Sequence, residues 1–231
     1  ERHAEVGSNN LAMTSNAMLI NDDRAKMLVE GGMNHIFVSV DSCDPEVYAS
    51  MRVGGNLPQV EDALGNINRW KAKLQKDDPT MTLASTFMER NVRQMPDMVD
   101  FAVKHKFKTF SVQLMEMENP ELEDEFLGNY IELTRDMVLE TLKRAEGKPI
   151  DVRIHLAMRN LLTKHLSLPE YKRITSNTEG AGKNDVETFA ATNEVPEEEL
   201  KFDPSIGDRK SLESFSTHGT HLTEICHYPW Y

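Results

Sequence analysis

Long apolar runs are missing from this 231-residue chain. No stretch approaches the roughly 18 residues that a membrane-spanning helix needs, and no signal-peptide pattern opens it, so no membrane role is expected. Cysteine is scarce. Cys43 and Cys226 are the only two and lie far apart, which argues against a disulfide framework and for a reducing, cytoplasmic setting. Basic residues are in deficit, 26 against 38 acidic for a net charge of −12, so nucleic acid is not the expected partner. Phosphate-loop, GxGxxG, HExxH and GxSxG patterns are absent, which removes the usual nucleotide-dehydrogenase, zinc-protease and serine-hydrolase readings. Asn-Gly and Asp-Gly hairpin turns are absent too. What remains, 39% hydrophobic and 28% charged, suits a globular core, with thirteen methionines available to fill its gaps.

The pattern that is present alternates strand with helix. Strand candidates are Asn10 to Ser15, His35 to Val40, Met81 to Phe87, Lys108 to Leu114 and Ile150 to Leu156. Between them run a helix capped by Asp22 or Asp23 and closed by Gly31-Gly32, and one from Pro58 carrying Val60, Ala63, Leu64, Ile67, Trp70 and Leu74 at helical spacing. Another follows Glu89-Arg90-Asn91 with Met95, Met98, Val99 and Ala102 inward. A long helix is expected from Pro120 to Ala145, and a short one from Met158 to His165. Such alternation implies parallel strands joined by right-handed helical crossovers, in a doubly wound sheet or a piece of a (β/α) barrel. In either, ligands gather at the carboxyl ends of the strands. Those ends, Thr14-Ser15-Asn16, Ser39/Asp41, Glu89/Asn91 and Gln113/Glu116, are all polar.

The stretch from Asn34 to Arg52 stands at the centre of this reading. His35 to Val40 reads as a strand covered on both faces, closed by Ser39 and Asp41, with a turn at Asp44-Pro45 and a loop returning Arg52 across the strand end. A hydroxyl and a guanidinium converging there would suit a ligand carboxylate, since arginine offers two parallel donors. The competing reading is a strand cap with a surface ion pair. Further on the character changes. Residues 176–221 hold ten acidic and four basic residues with little periodicity, as in a loosely ordered connection, before the aromatic LTEICHYPWY closes the chain.

The order of these pieces resembles the radical S-adenosylmethionine (radical SAM) superfamily, in the branch with a C-terminal SPASM or twitch auxiliary domain. Thr14-Ser15-Asn16 corresponds to the family's "TNG", with Ala17 in place of glycine, and Val38-Ser39-Val40-Asp41 to "SxDG", with Ser42 in place of glycine. Tyr48 to Gly55 is similar to "Y..iRggg", Asn91 to the asparagine after the family's fifth strand, and Cys226 to Trp230 to "C..PW". The resemblance implies an α/β fold, a partial (β/α) barrel over residues 1–165, an acidic linker over 166–221 and the start of an auxiliary domain over 222–231. It also implies that Ser39 and Arg52 hold the carboxylate of S-adenosylmethionine while Asp41 orders the strand end. Gln113 and Leu114 would flank the adenine, and Asn16 and Asn91 would contact the ribose or cap turns. Cys226 would be a thiolate ligand of an auxiliary iron–sulfur cluster. The Cys-x3-Cys-x2-Cys loop for the family's [4Fe–4S] cluster and its "GGEP" strand end are absent. A fragment, inactive alone, is therefore expected. The intact enzyme would cleave S-adenosylmethionine reductively to a 5′-deoxyadenosyl radical, draw electrons from a flavodoxin or ferredoxin, and take hydrogen from a peptide or small-molecule substrate. The alternatives are a non-catalytic S-adenosylmethionine-binding module and an unrelated barrel enzyme with a phosphate or carboxylate ligand.

Three other features carry lesser readings. His218, His221, Cys226 and His227 could hold zinc, but their spacing fits no common structural site. Cys43, beside Asp44, reads as inert. The acidic run of Glu116, Glu118, Glu121, Glu123, Asp124 and Glu125 reads as a solvated helix start.

Overall fold

A computed structural model describes residues 10–116 and 120–175, all within the first of two compact units of the chain. Its elements run β1 (Ala12–Ser15), α1 (Asp22–Glu30), β2 (His35–Ser39), α2 (Pro45–Met51), α3 (Leu57–Leu74), β3 (Thr80–Phe87), α4 (Glu89–Val92), α5 (Met95–Lys104) and β4 (Thr109–Leu114). Then follow two 3-10 turns (Pro120–Glu125 and Leu127–Tyr130), α6 (Ile131–Ala145), β5 (Asp151–Ile154), α7 (Leu156–Leu162), a 3-10 turn (Thr163–His165) and α8 (Leu168–Thr175). The five strands form one parallel sheet in the order β1-β2-β3-β4-β5. Sequential order without reversal is the winding of a (β/α) barrel segment. A doubly wound sheet would reverse at a switch point.

Register fixes what each face of the sheet carries. Val38 pairs with Leu83, Leu83 with Phe110 and Phe110 with Val152, so one face is a continuous apolar layer. All four side chains are buried, each worth about 1.5–3 kcal/mol on leaving water, and Phe87 meets Phe110 edge-on. The opposite face is mostly polar and, apart from buried Thr82, half-buried. Phe37, Thr82, Thr109 and Asp151 form one row, and Ser39, Ala84, Ser111 and Arg153 the next. Strand β2 is therefore covered on one face, not two, because the residues alternating with Ile36 and Val38 are only half-buried.

Several local expectations change for physical reasons. Helix α1 is capped by Asn21, whose side chain accepts from the Arg24 N–H at 3.0 Å, while Asp22 and Asp23 occupy its first turn. Asp44-Pro45 is a helix start, not a turn: the Asp44 carboxylate accepts the N–H groups of Glu46 and Val47, both at 2.9 Å, and Pro45 takes the first position of α2. The long helix is broken. At Gly128 a Cβ would lie 2.2 Å from the Phe126 ring, so the chain turns tightly there and regular helix begins only at Ile131. Residues 168–175, placed in the linker from sequence, form α8, which buries Leu168, Tyr171 and Ile174. No helix among the described residues is long and apolar enough to cross a membrane.

Candidate ligand site at the carboxyl edge of the sheet

Asp41 leaves β2 two residues beyond Ser39 and is 6% exposed. One of its oxygens, Oδ1, accepts the backbone N–H of Thr86 from β3 at 2.9 Å. The other, Oδ2, accepts from Arg52 Nε at 2.7 Å and lies 2.6 Å from Nη2. Helix α2 makes this possible: seven residues carry the chain away from the strand end and set Arg52 at the helix's carboxyl cap. Both side chains are about nine-tenths buried, so this is an interior ion pair and not the surface pair weighed from sequence. Removing one partner of such a pair leaves a buried charge uncompensated. The expected convergence on a ligand is thus modified, since Asp41 already engages Nε and Nη2 of the Arg52 guanidinium.

The turn after Arg52 explains its glycines. Gly54 has φ of +75°, and a Cβ at Gly55 would lie 2.8 Å from the Arg52 carbonyl oxygen and 3.0 Å from the Tyr48 ring. Tyr48 is fully buried, its ring 6.0 Å from the Arg52 guanidinium carbon, and burial pushes its phenol pKa up. At the end of β1, Ala17 occupies the left-handed region with φ of 62°, which accounts for a glycine at this position in the resembling family. Ser42, in place of the other family glycine, is buried. It bonds the Gln94 side chain and accepts the Asp44 N–H at 2.9 Å.

Asn91 takes the turn-capping role of the two left open by sequence. It is fully buried, and its Nδ2 donates to the Asp41 carbonyl at 2.7 Å and the Thr86 carbonyl at 2.9 Å, while Oδ1 accepts the Met88 N–H at 2.8 Å. Both amide hydrogens are used, so no donor remains for a ribose. Ser85 adds a bond from its hydroxyl to the Val40 carbonyl at 2.5 Å. Sequence reading missed the Thr86 and Ser85 contributions because a backbone N–H and a buried serine carry no motif.

Asn16 folds into a local turn, accepting the Met18 N–H at 3.2 Å. Ser39 pairs with Ala84 and faces the polar side of the sheet. Gln113 lies in register with Thr86 on that face, and Leu114 with Phe87 on the other. Side chains of Ser39, Gln113, His155 and Arg159 make no hydrogen bond or ion pair among the described residues. His155 and Arg159 went unnoticed in the sequence, although their place at the end of the fifth strand was the available signal.

Other polar groups are accounted for locally. Burial holds the Cys43 thiol above its ordinary pKa, reinforced by Asp97 and Asp44, as suits an inert thiol. Glu125, from the acidic run, clamps Arg90 through Nε at 2.8 Å and its backbone N–H at 3.1 Å. No group of three or more His, Cys, Asp or Glu that could hold a metal occurs among the described residues. Cys226 and the possible zinc ligands around it lie outside those residues.

No family model matches the chain. Over 148 residues it is 26% identical to a GTP 3',8-cyclase from Limosilactobacillus fermentum, covering 63% of this chain and 42% of that one. SuiB from Streptococcus suis bound to its precursor peptide SuiA superposes with a TM-score of 0.50 at 13% identity, over 71% of this chain and 37% of SuiB. SuiB bound to S-adenosylmethionine gives 0.49 at 16% identity, over 70% and 36%. The chain spans less than half the length of these proteins. Sequence likeness to the cyclase and a fold shared with SuiB support the resemblance to the radical SAM superfamily.

Proposed function

We propose that this chain is the S-adenosylmethionine-binding part of a radical SAM enzyme. The observation that carries this reading is the half-buried Ser39 hydroxyl, without a protein partner among the described residues, two positions before Asp41 and its interior ion pair with Arg52. A carboxylate placed at the end of β2 accepts from Ser39 with the Arg52 guanidinium as the neighbouring positive charge. Gln113, through its backbone amide, and Leu114, through its apolar side chain, flank the adenine two strands away, and Asn16 lies on the ribose side. Asn91 and Asp41 do not touch the ligand in this scheme. They hold β2, β3 and α2 in place beneath it.

For the whole protein the proposed activity is reductive cleavage of S-adenosylmethionine to a 5′-deoxyadenosyl radical, followed by hydrogen abstraction from a peptide or small molecule. The described residues do not fit the [4Fe–4S] cluster this requires, because Cys43 is their only cysteine and no three-ligand group exists among them. No step of the radical chemistry is assigned to them. Cys226 is proposed as an auxiliary-cluster ligand in a SPASM or twitch domain, with a flavodoxin or ferredoxin as electron donor in the cytoplasm.

Equilibrium dialysis of the chain against S-adenosylmethionine and its decarboxylated analogue tests the site. Loss of the carboxylate should weaken binding about tenfold, the effect of a charge-assisted hydrogen bond. Equal affinity for the two ligands would refute the assignment.

A further inference from the structure

Ten arginines fall among the described residues, and nine have an oxygen acceptor for the side chain, a carboxylate in every case except Arg24. Arg159 has none among the described residues, although its Nε is buried. A guanidinium that has lost part of its hydration without gaining a partner is costly, and arginine's fork is shaped for carboxylate and phosphoryl oxygens.

Its position adds a second observation. Helix α7 starts directly beyond the carboxyl end of β5, with His155 as its exposed N-cap and the Arg159 N–H bonded to the His155 carbonyl at 3.0 Å. Residues four apart share a helix face, and helical side chains lean toward the amino end, so Arg159 reaches back toward the strand ends. His155 donates its backbone N–H to Val112 at 2.9 Å, which places it beside Gln113 on the polar face. Three donor-bearing side chains without protein partners thus gather at the β4–β5 edge of a chain whose net charge is −12. Strand spacing puts this edge about 10–14 Å from the end of β2, two to three strands away.

We propose that Arg159, His155 and Gln113 form an oxyanion subsite that takes a carboxylate or phosphoryl group of the substrate, separate from the S-adenosylmethionine carboxylate site at β2. The word substrate rests on the proposed function; the anion site itself does not.

Arginine Nε–Hε NMR on the full chain tests it, with no S-adenosylmethionine present, so the outcome is independent of the dialysis experiment. Sodium phosphate, sodium acetate, GTP and a glutamate-rich peptide are titrated at constant ionic strength. The Arg159 resonance, identified by its loss in Arg159→Lys and again in Arg159→Gln, should move saturably with a midpoint of roughly millimolar. Gln113→Ala should raise that midpoint about threefold to tenfold, the effect of one hydrogen bond. Larger responses to phosphate and GTP identify a nucleotide phosphate as the source, and larger responses to acetate and the peptide identify an acidic peptide. No saturable movement with any of the four, or equal movement of all arginines, would overturn the proposal.

Discussion

Two ends of the same sheet edge are built on opposite principles. At β2 and β3, Asp41, Arg52 and Asn91 are buried and bonded to one another or to backbone. At β4 and β5, Gln113, His155 and Arg159 are half-buried or exposed and bonded to nothing by their side chains among the described residues. The first arrangement resists change, because every group displaced from it loses a partner in a low-dielectric setting. The second leaves the buried Arg159 Nε without a partner among the described residues, an arrangement that suits an arriving ligand. Ser39 stands at the margin, on the rigid side of the edge but with a free hydroxyl.

Mutations should separate the two ends by stability. Asp41→Ala strands the Arg52 charge inside the protein and should cost about 3–5 kcal/mol in chemical denaturation, whereas Arg159→Gln should stay within about 0.5 kcal/mol of wild type. A stability loss from Arg159→Gln approaching that of Asp41→Ala would erase the distinction. Asn91→Ala leaves two carbonyls and one N–H short of a partner and should cost about 2–4 kcal/mol by the same assay, against less than about 1 kcal/mol for Gln113→Ala. Gly55→Ala tests the turn that presents Arg52. The added methyl meets the Arg52 carbonyl and the Tyr48 ring, so a loss of about 1–3 kcal/mol is expected, with the lowered midpoint visible by circular dichroism.

The smallest effect concerns pH and lies away from this edge. Burial holds the His35 and His105 imidazoles below the ordinary value of 6.5, helped at His35 by the Arg153 charge. His35 sits at the amino end of β2 between the Thr80 and Thr82 hydroxyls at 2.7 and 3.0 Å. His105, the carboxyl cap of α5, faces Glu61 at 3.0 Å with Lys104 on the same carboxylate. Burial alone would raise the Glu61 pKa, but the hydrogen bonds and charges of these two partners keep it below its usual range. Because both folded imidazoles take a proton less readily than the unfolded chain does, their contribution is complete above 6.5. It is lost as pH falls through the lowered folded values. Denaturant midpoints measured from pH 8 down to 5 should therefore decline, and the double variant His35→Gln, His105→Gln should flatten the curve.

The strands and most helices were legible because a period of two gives way to a period near 3.6 at recognisable breaks, as between Phe87 and Met95. The site was legible only in part. Ser39, Asp41 and Arg52 could be grouped from their spacing, but whether Arg52 faces a ligand or Asp41 depends on a seven-residue helix that Pro45 starts and that looked like a loop. Asn91 offered two roles until its burial excluded one. The break at Gly128 and the choice of Asn21 over Asp22 as a cap are set by tertiary packing and by which residue happens to be extended, neither of which periodicity reports. Arg159 was invisible for a different reason: an arginine is conspicuous only once the partners of all the others are known.

Isothermal titration of S-adenosylmethionine into the chain and into Ser39→Ala bears most directly on the central claim. A hydroxyl that binds the ligand and nothing else predicts about a tenfold loss of affinity with an unchanged unfolding midpoint. Unchanged affinity in Ser39→Ala would contradict it.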